Sequence, residues 1–412
     1  MPHAATRSVL EHQAAVLDLV APLPAVDVDL DDALGLVLAA DVRAATDVPA
    51  WDNSAMDGYA VRAADVAVAS AEAPVRLPVV ADLAAGSAAV PRVEPGTCAR
   101  IMTGAPLPPG ADAVVPVELT DAGTDVVGVR AAVPMGANVR RAGEDTAAGA
   151  LVLAAGTELR PVHLGAAAAA GTGRVAVHRR PVVAVLATGS ELVAAGEPVR
   201  RGQIPDSNSR LLAAAVRSAG CVPVRLGHVP DDADSLRAVL AAQDGAVDLV
   251  VTSGGVSVGA YDVVKEVLTT WGTVEFVPVA MQPGKPQAAG RLPAGTPVIG
   301  LPGNPVSVHV SFEVFVRPVL RRLRGCADVE PPTAPAVVED GWRSPPGRVQ
   351  YMPVVVTAGD GGLRVRRVAA GGSGSHLVTG LARSTGLAVV PAEVEAVQAG
   401  DVVTVTRSGW CD

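Results

Sequence analysis

Residues 249–262 read LVVTSGGVSVGAYD. An apolar, β-rich run ends in Ser253-Gly254-Gly255. A further glycine, Gly259, follows Ser257, and an acid, Asp262, stands where the next helix should begin. Glycine lets a backbone turn sharply and lets a ligand come close. Successive unpaired N–H groups in such a turn, backed by a helix N-terminus, attract anions such as phosphate. At the carboxyl end of a strand this is where an open α/β sheet binds its ligand. Glycine-rich strand-to-helix turns also serve as plain connections, so the reading depends on what surrounds the loop.

The surroundings support it. From residue 182 the chain alternates buried β runs with amphipathic helical runs: VVAVLAT, then DSNSRLLAAAVRSAG; VPVRLGHV, then DADSLRAVLAAQ; DLVVTSGG, then YDVVKEVLTTW; TPVIGLPG, then PVSVHVSFEVFVRPVLRRL. Alternation of this kind implies a doubly wound parallel sheet with helices on both faces. Before it, 8–20 (SVLEHQAAVLDLV) has helical spacing. The stretch 30–44 (LDDALGLVLAADVRA) reads as a second helix, with Asp31 and Asp32 suited to its first turn. The segment WDNSAMDGYAVR is irregular, and 75–133 breaks into short β runs that read as a small β domain. From residue 138 the pattern returns toward helix. After Cys326, ADVEPPTAP is a linker; the tail is β again, with a hairpin in VVVTAGDGGLRVRRV and a last pair in GLAVVPAE and AGDVVTVTR.

Composition narrows the class. The formal net charge of the 412 residues is −9, the wrong sign for a nucleic-acid binder, so attraction for an anion must be local. The four cysteines (Cys98, Cys221, Cys326, Cys411) form no CxxC pair, which fits a reducing compartment. Mean hydropathy is +0.35, but prolines, glycines and charges interrupt every apolar run, so no membrane span is expected. With no basic-then-apolar leader, the reading is a cytoplasmic protein. Only Lys265 and Lys285 are lysines among 33 basic residues; a lysine kept under such a bias points to a need for a compact ammonium. Lys285 lies in the rigid loop MQPGKPQ, whereas Lys265 reads as a surface residue.

If the sheet is parallel, the loops after its strands gather at one edge. Glu191 in Thr188-Gly189-Ser190-Glu191, Asp231, Asp262, Lys285 and Asn304 would then surround one crevice. Carboxylates facing an anion-binding loop make chemical sense with Mg2+ between them, since that ion takes one or two carboxylates plus phosphate oxygens. Simpler roles compete: Asp206 or Ser207 as the cap of the following helix, and Asp231 or Asp232 as the cap of the next. Outside this region, Asp52, Asn53, Asp57 and Gly58 form one polar cluster, and RRAGED (140–145) either clamps an oxyanion or only solvates a surface. The seven histidines show no metal-ligand spacing.

WDNSAMDGYAVR, ARIMTGAPLPPGADAVVPVE, NVRRAGED, ATGSEL, IPDSN, SGGVSVGAYD, PGKP and LPGNPVS, taken in this order, resemble the successive motifs of molybdopterin molybdenumtransferases, the MoeA-type proteins to which the gephyrin E-domain belongs. The resemblance implies a multidomain α/β fold with a central doubly wound, MogA-like domain at 178–326. An N-terminal linker and dimerisation region occupies 1–48 and 138–177, an inserted β-rich domain 49–137, and a β-barrel-like domain 327–412. It implies a homodimer that inserts molybdate into adenylylated molybdopterin with Mg2+ and releases AMP, next to an upstream molybdopterin adenylyltransferase. Its catalytic set maps onto Asp57, Asp145, Glu191, Asp231, Asp262 and Lys285, with Glu191 and Asp262 toward the metal. Its substrate-binding set maps onto Thr103, Thr188, Gly189, Asp206, Ser253, Gly254, Gly255, Ser257, Gly259, Pro286, Asn304, Ser307 and Ser375. The N-terminal members are expected to reach the partner subunit's crevice.

The chain departs from that pattern twice. Gln282 stands where the family usually has a second lysine, and Pro353 where it usually has an arginine. Two lost cations should weaken oxyanion binding by roughly 1.5–3 kcal/mol each; Arg348, five residues before Pro353, offers a substitute. Beside the enzyme, two other readings stand: a dimeric scaffold that holds molybdopterin but inserts metal poorly, and an adenylyltransferase acting one step earlier, which the extra terminal regions disfavour.

Overall fold

The structure, a computed structural model, describes residues 6–229, 232–256, 263–359, 361–368 and 378–407. Its centre is a six-stranded sheet. Strands β1 (Val182–Thr188), β2 (Val222–Val229), β3 (Leu249–Ser253), β4 (Glu275–Pro278), β5 (Pro286–Arg291) and β6 (Pro297–Leu301) stand in the order 2-1-3-6-5-4. Strands β2, β1, β3 and β6 are parallel. The expected all-parallel sheet is corrected at its far side, where β5 runs antiparallel to both β6 and β4. The segment WGTVEFVPVAMQPGKPQAAG carries no signal for this pair, because its prolines and glycines leave too little alternation between them.

Both faces of β1 and β3 are covered, and Val183, Ala184, Val185, Leu186, Leu249, Val250 and Val251 are fully buried. That is why these runs are apolar throughout and do not alternate. One face packs against the helix Asn208–Ser218 and the long C-terminal helix of the unit, with Leu212, Val216, Phe312, Phe315 and Leu320 in its core. The other packs against Ala233–Gln243 and Val263–Trp271 through Leu236, Leu240, Val264 and Leu268. Asp232 settles the earlier alternative: its carboxylate accepts the N–H groups of Asp234 and Ser235 at 3.3 and 3.0 Å and caps its helix. The long helix is α-helical over Pro305–Ser311 and Arg317–Leu323, with a π-helical turn at Phe312–Val316. Pro318 follows that turn and has no N–H for the Val314 carbonyl, a sufficient local cause of the wider turn.

The opening helix, Val9–Leu17, forms as its sequence predicts, with a reciprocal Ser8–Glu11 capping box. The helix expected over 30–44 does not form. Leu30–Asp32 makes a single 3-10 turn, Gly35 reverses the chain at φ +72°, and Val37–Leu38 and Val42–Arg43 become strands. Tertiary pairing of Val37 with His178 and Leu38 with Val177 overrides helical spacing here. Between residues 138 and 178 only Pro161–Ala169 is helical; Val139–Arg140 and Leu151–Leu153 are short strands. The irregular WDNSAMDGYAVR segment contains Gly58–Val61, which lies inside a five-stranded sheet between Ala113–Pro116 and Cys98–Ile101. Gly58 fits there because a Cβ would meet the Val115 carbonyl oxygen at 2.0 Å.

The tail closes on itself. Strands β7 (Thr333–Val338), β8 (Val349–Gly359), β9 (Gly362–Arg367), β10 (Gly386–Val390) and β11 (Val402–Arg407) pair in the cycle 8-9-7-11-10-8. This five-stranded barrel surrounds Met352, Val354, Val365, Ala388 and Val405. Among the described residues, no helix is long and apolar enough to cross a membrane.

His12 on the opening helix is fully buried, edge-on to Phe315 with ring centroids 4.7 Å apart, and neither ring nitrogen has a partner among the described residues. Burial, with a smaller contribution from Arg7, lowers its pKa from 6.5 to about 4. The unfolded chain therefore binds a proton that the fold refuses. This contribution is fully present above pH 6.5 and is lost as pH falls toward 4. Urea denaturation should show a loss of about 2 kcal/mol between pH 7.5 and pH 5 that His12→Phe removes; an unchanged slope in the variant would place the acid sensitivity elsewhere.

Candidate functional site

The strand order reverses between β1 and β3, and the β-ladder sets their ends level. Ala187 pairs with Ser253, and Ser253 with Leu301. The loops that follow, Thr188 to Glu191, Ser253 to Val256 and Pro302 to Asn304, therefore leave the sheet side by side. They line a crevice of about 720 Å3 with Ser207, Asn208, Val263 and the Gln282 to Pro286 loop. Lys285 arrives by a different route from the one expected. Because β5 is antiparallel and pairs Ala288 with Gly300, its start, not its end, lies at this edge.

Close backbone contact makes the loops. Gly254 has φ +93°, and a Cβ there would stand 2.8 Å from the Thr188 carbonyl oxygen; Gly255 follows at φ +74°. Gly189 has φ +149°, and the Glu191 carboxylate folds over it so closely that a Cβ would be 2.5 Å from Oε2. Asn208 joins two loops: its Nδ2 donates to Ser253 Oγ at 2.8 Å and to the Gly303 carbonyl at 2.7 Å. Asn208 closes the IPDSN motif and is absent from the set of expected site residues. Its signal was an amide in the first turn of a helix that starts at the crevice.

Of the sequence-derived set, Thr188, Gly189, Glu191, Ser253, Gly254, Gly255, Lys285, Pro286, Asn304 and Ser307 all line the crevice. Asp206 does not: it is buried, and its carboxylate accepts the Ser209 N–H at 3.0 Å and the Ser209 hydroxyl, which makes it the helix cap. Asp57 and Thr103 lie together in the N-terminal region, where Asp57 Oδ1 accepts the Thr103 N–H and hydroxyl at 2.7 and 2.8 Å. Those bonds, the backbone one first, lower the Asp57 pKa. Asp145 is exposed, and its N–H donates to the Val48 carbonyl at 3.0 Å. The RRAGED string is partly spent: Arg141 pairs with Asp52 at 2.6 Å, and Asp52 also accepts the Ala142 N–H at 2.8 Å. Asp231, Ser257, Gly259, Asp262 and Ser375 lie outside the described residues. Among the described residues, no three His, Cys, Asp or Glu side chains group as a metal-ligand set.

The two departures are also placed. Pro353 is a barrel residue in β8, paired with Leu387. Gln282 lines the crevice, and Arg348, which precedes β8, donates to Gln282 Oε1 at 3.3 Å. The barrel thus carries a guanidinium to the crevice wall.

A glycine-walled crevice at the switch point of this sheet, with a separate five-stranded sheet before it in the chain and a closed barrel after it, defines a MoeA-type architecture. Family profiles agree along the chain: MoeA N-terminal region (domain I and II) at 7–171, probable molybdopterin binding domain at 184–322, and MoeA C-terminal region (domain IV) at 335–407. Molybdopterin molybdenumtransferase 2 of Mycobacterium tuberculosis is 46% identical over 96% of this chain and 98% of its own length. Molybdopterin molybdenumtransferase 1 of the same species is 38% identical over 97% and 98%. The structure of a molybdopterin biosynthesis MoeA protein from Pyrococcus horikosii superposes with a TM-score of 0.84 at 32% identity, covering 98% of this chain and 99% of that one. The chain belongs to the molybdopterin molybdenumtransferase family.

The loop geometry makes a direct prediction. Gly254→Ala should cost more than Gly295→Ala, whose φ of +101° is strained alike but whose Cβ would meet open space. The control should lose about 1–2 kcal/mol and Gly254→Ala measurably more in denaturant titration; equal losses would mean that the Thr188 contact is loose.

Proposed function

We propose that this chain inserts molybdate into the dithiolene of adenylylated molybdopterin, with Mg2+ and with release of AMP, as a homodimer in the cytoplasm. One observation carries the reading: glycine loops, the Glu191 carboxylate and the Lys285 ammonium line one crevice. Every reactant is an anion, so a site that concentrates N–H groups and cations in an otherwise acidic protein suits them. The family relationship supports the overall reaction.

Roles follow from chemistry. The Gly254 N–H is taken by the Leu301 carbonyl at 3.1 Å, so it is the Gly255 amide at the crevice that holds the pterin phosphate. Lys285 offsets the negative charge that grows on the adenylate as the phosphoanhydride breaks. Glu191, a crevice carboxylate, fits an ion that takes one or two carboxylates beside phosphate oxygens, and such an ion would supply further charge neutralisation. Arg348 and Gln282 supply the oxyanion contacts that a second lysine would otherwise make. The Asp57–Thr103 pair, exposed and away from its own crevice, is suited to completing that of a second copy. Cys98, Cys221 and Cys326 are buried free thiols, which fits a reducing cytoplasm.

Purified protein mixed with adenylylated molybdopterin, Mg2+ and molybdate should release AMP and activate an apo-molybdoenzyme. Tight molybdopterin binding without AMP release would instead identify the scaffold. Lys285→Ala should reduce turnover by about 100-fold with the fold retained. Arg348→Ala should raise the molybdate concentration for half-maximal rate by roughly 10-fold or more, the effect of one charge-assisted hydrogen bond, while molybdopterin affinity stays the same. An unchanged molybdate requirement would remove Arg348 from the site.

A further inference from the structure

We infer that Gln287, together with Ser311, is a positioning residue that sets Lys285 in the crevice; this rests on the role given above to Lys285. Lys285 is exposed toward the crevice, yet Pro283, Gly284 and Gln287 around it are buried. Its backbone is held on two sides. Beyond it, the Lys285 carbonyl accepts the Val279 N–H at 2.7 Å. Before it, the Gly284 carbonyl accepts Gln287 Nε2 at 2.7 Å, and the same Nε2 also donates to Ser311 Oγ at 2.7 Å.

Both supporting side chains are fully buried, Gln287 in β5 and Ser311 at the end of the first segment of the long helix. Gly284 lies flat on them: at φ +104° a Cβ would stand 2.9 Å from Ser311 Oγ and 3.3 Å from Gln287 Nε2. A residue present only to fill space here would be apolar, as its neighbours Ala288 and Ala289 are. Gln287 instead leaves its own Oε1 buried and without a partner among the described residues. A fold tolerates an unpaired buried acceptor where the other end of the amide does something an apolar side chain cannot. Here that is to fix the turn from which the ammonium projects.

A double-mutant cycle on AMP release separates positioning from general support. Gln287→Leu should slow turnover by roughly 10- to 100-fold, as a loss of alignment does, and molybdopterin affinity should be unchanged. In a Lys285→Ala background the same substitution should cause no further loss, because the group it aligns is gone. An equal loss in both backgrounds would overturn the inference and make Gln287 a structural residue, as would normal turnover of Gln287→Leu alone. Normal turnover of Lys285→Ala would overturn the reading of the site instead. Should Gln287→Leu not fold, Ser311→Ala is carried through the same cycle with the same two outcomes.

Discussion

The level ending of three neighbouring strands is the constraint from which the site follows. Hydrogen bonding fixes Ala187 opposite Ser253 and Ser253 opposite Leu301. A slip of one residue in either ladder would turn every side chain of a strand to the other face, so the buried valines that stabilise the sheet also hold the loops in register. Nothing in the loops themselves needs to be strongly stabilising. Glycines at 189, 254 and 303 cost conformational entropy, and the core beneath them offsets that cost.

The flanking regions are tied to this centre by buried polar struts. Arg324, at the end of the long helix, donates to the Ala219 carbonyl at 3.0 Å, the Gly35 carbonyl at 2.9 Å and Glu158 at 2.6 Å. It therefore joins the N-terminal region to the central unit through three bonds from one guanidinium, a fork that lysine lacks. Beside it His178 approaches the Leu23 carbonyl at 2.5 Å, over Gly325, where a Cβ would come within 2.1 Å of the imidazole ring. At the other edge Arg7 extends the sheet: its N–H reaches the Pro278 carbonyl at 2.9 Å, and its carbonyl accepts the Ala280 N–H at 2.8 Å.

Much of the central unit was legible because its physics is local. Fully buried strands leave unbroken apolar runs, and VPVRLGHV becomes a strand over the same eight residues. The misses share a cause. Residues 30–44 have helical spacing, yet strand partners from residues 151–178 decide their state, and spacing within a segment carries no record of a distant partner. The antiparallel pair β4–β5 is marked by prolines and glycines, which read as loop. Much of the crevice lining was readable from glycines and acids at strand ends, and for Asp206 the capping alternative is the one its bonds to Ser209 express. The Arg348–Gln282 contact joins positions 66 apart and requires the fold to be seen.

The short strand Met281–Gln282 pairs in parallel with Val349–Gln350 at the start of the barrel. One wall of the crevice is thus stitched to the tail by main-chain hydrogen bonds, while the barrel strands otherwise pair with one another in a closed cycle. A version of this chain shortened before residue 327 would not simply be a smaller catalyst. It would leave the Met281–Gln282 main chain without its ladder partner, so the crevice wall that bears Gln282 would lose its brace.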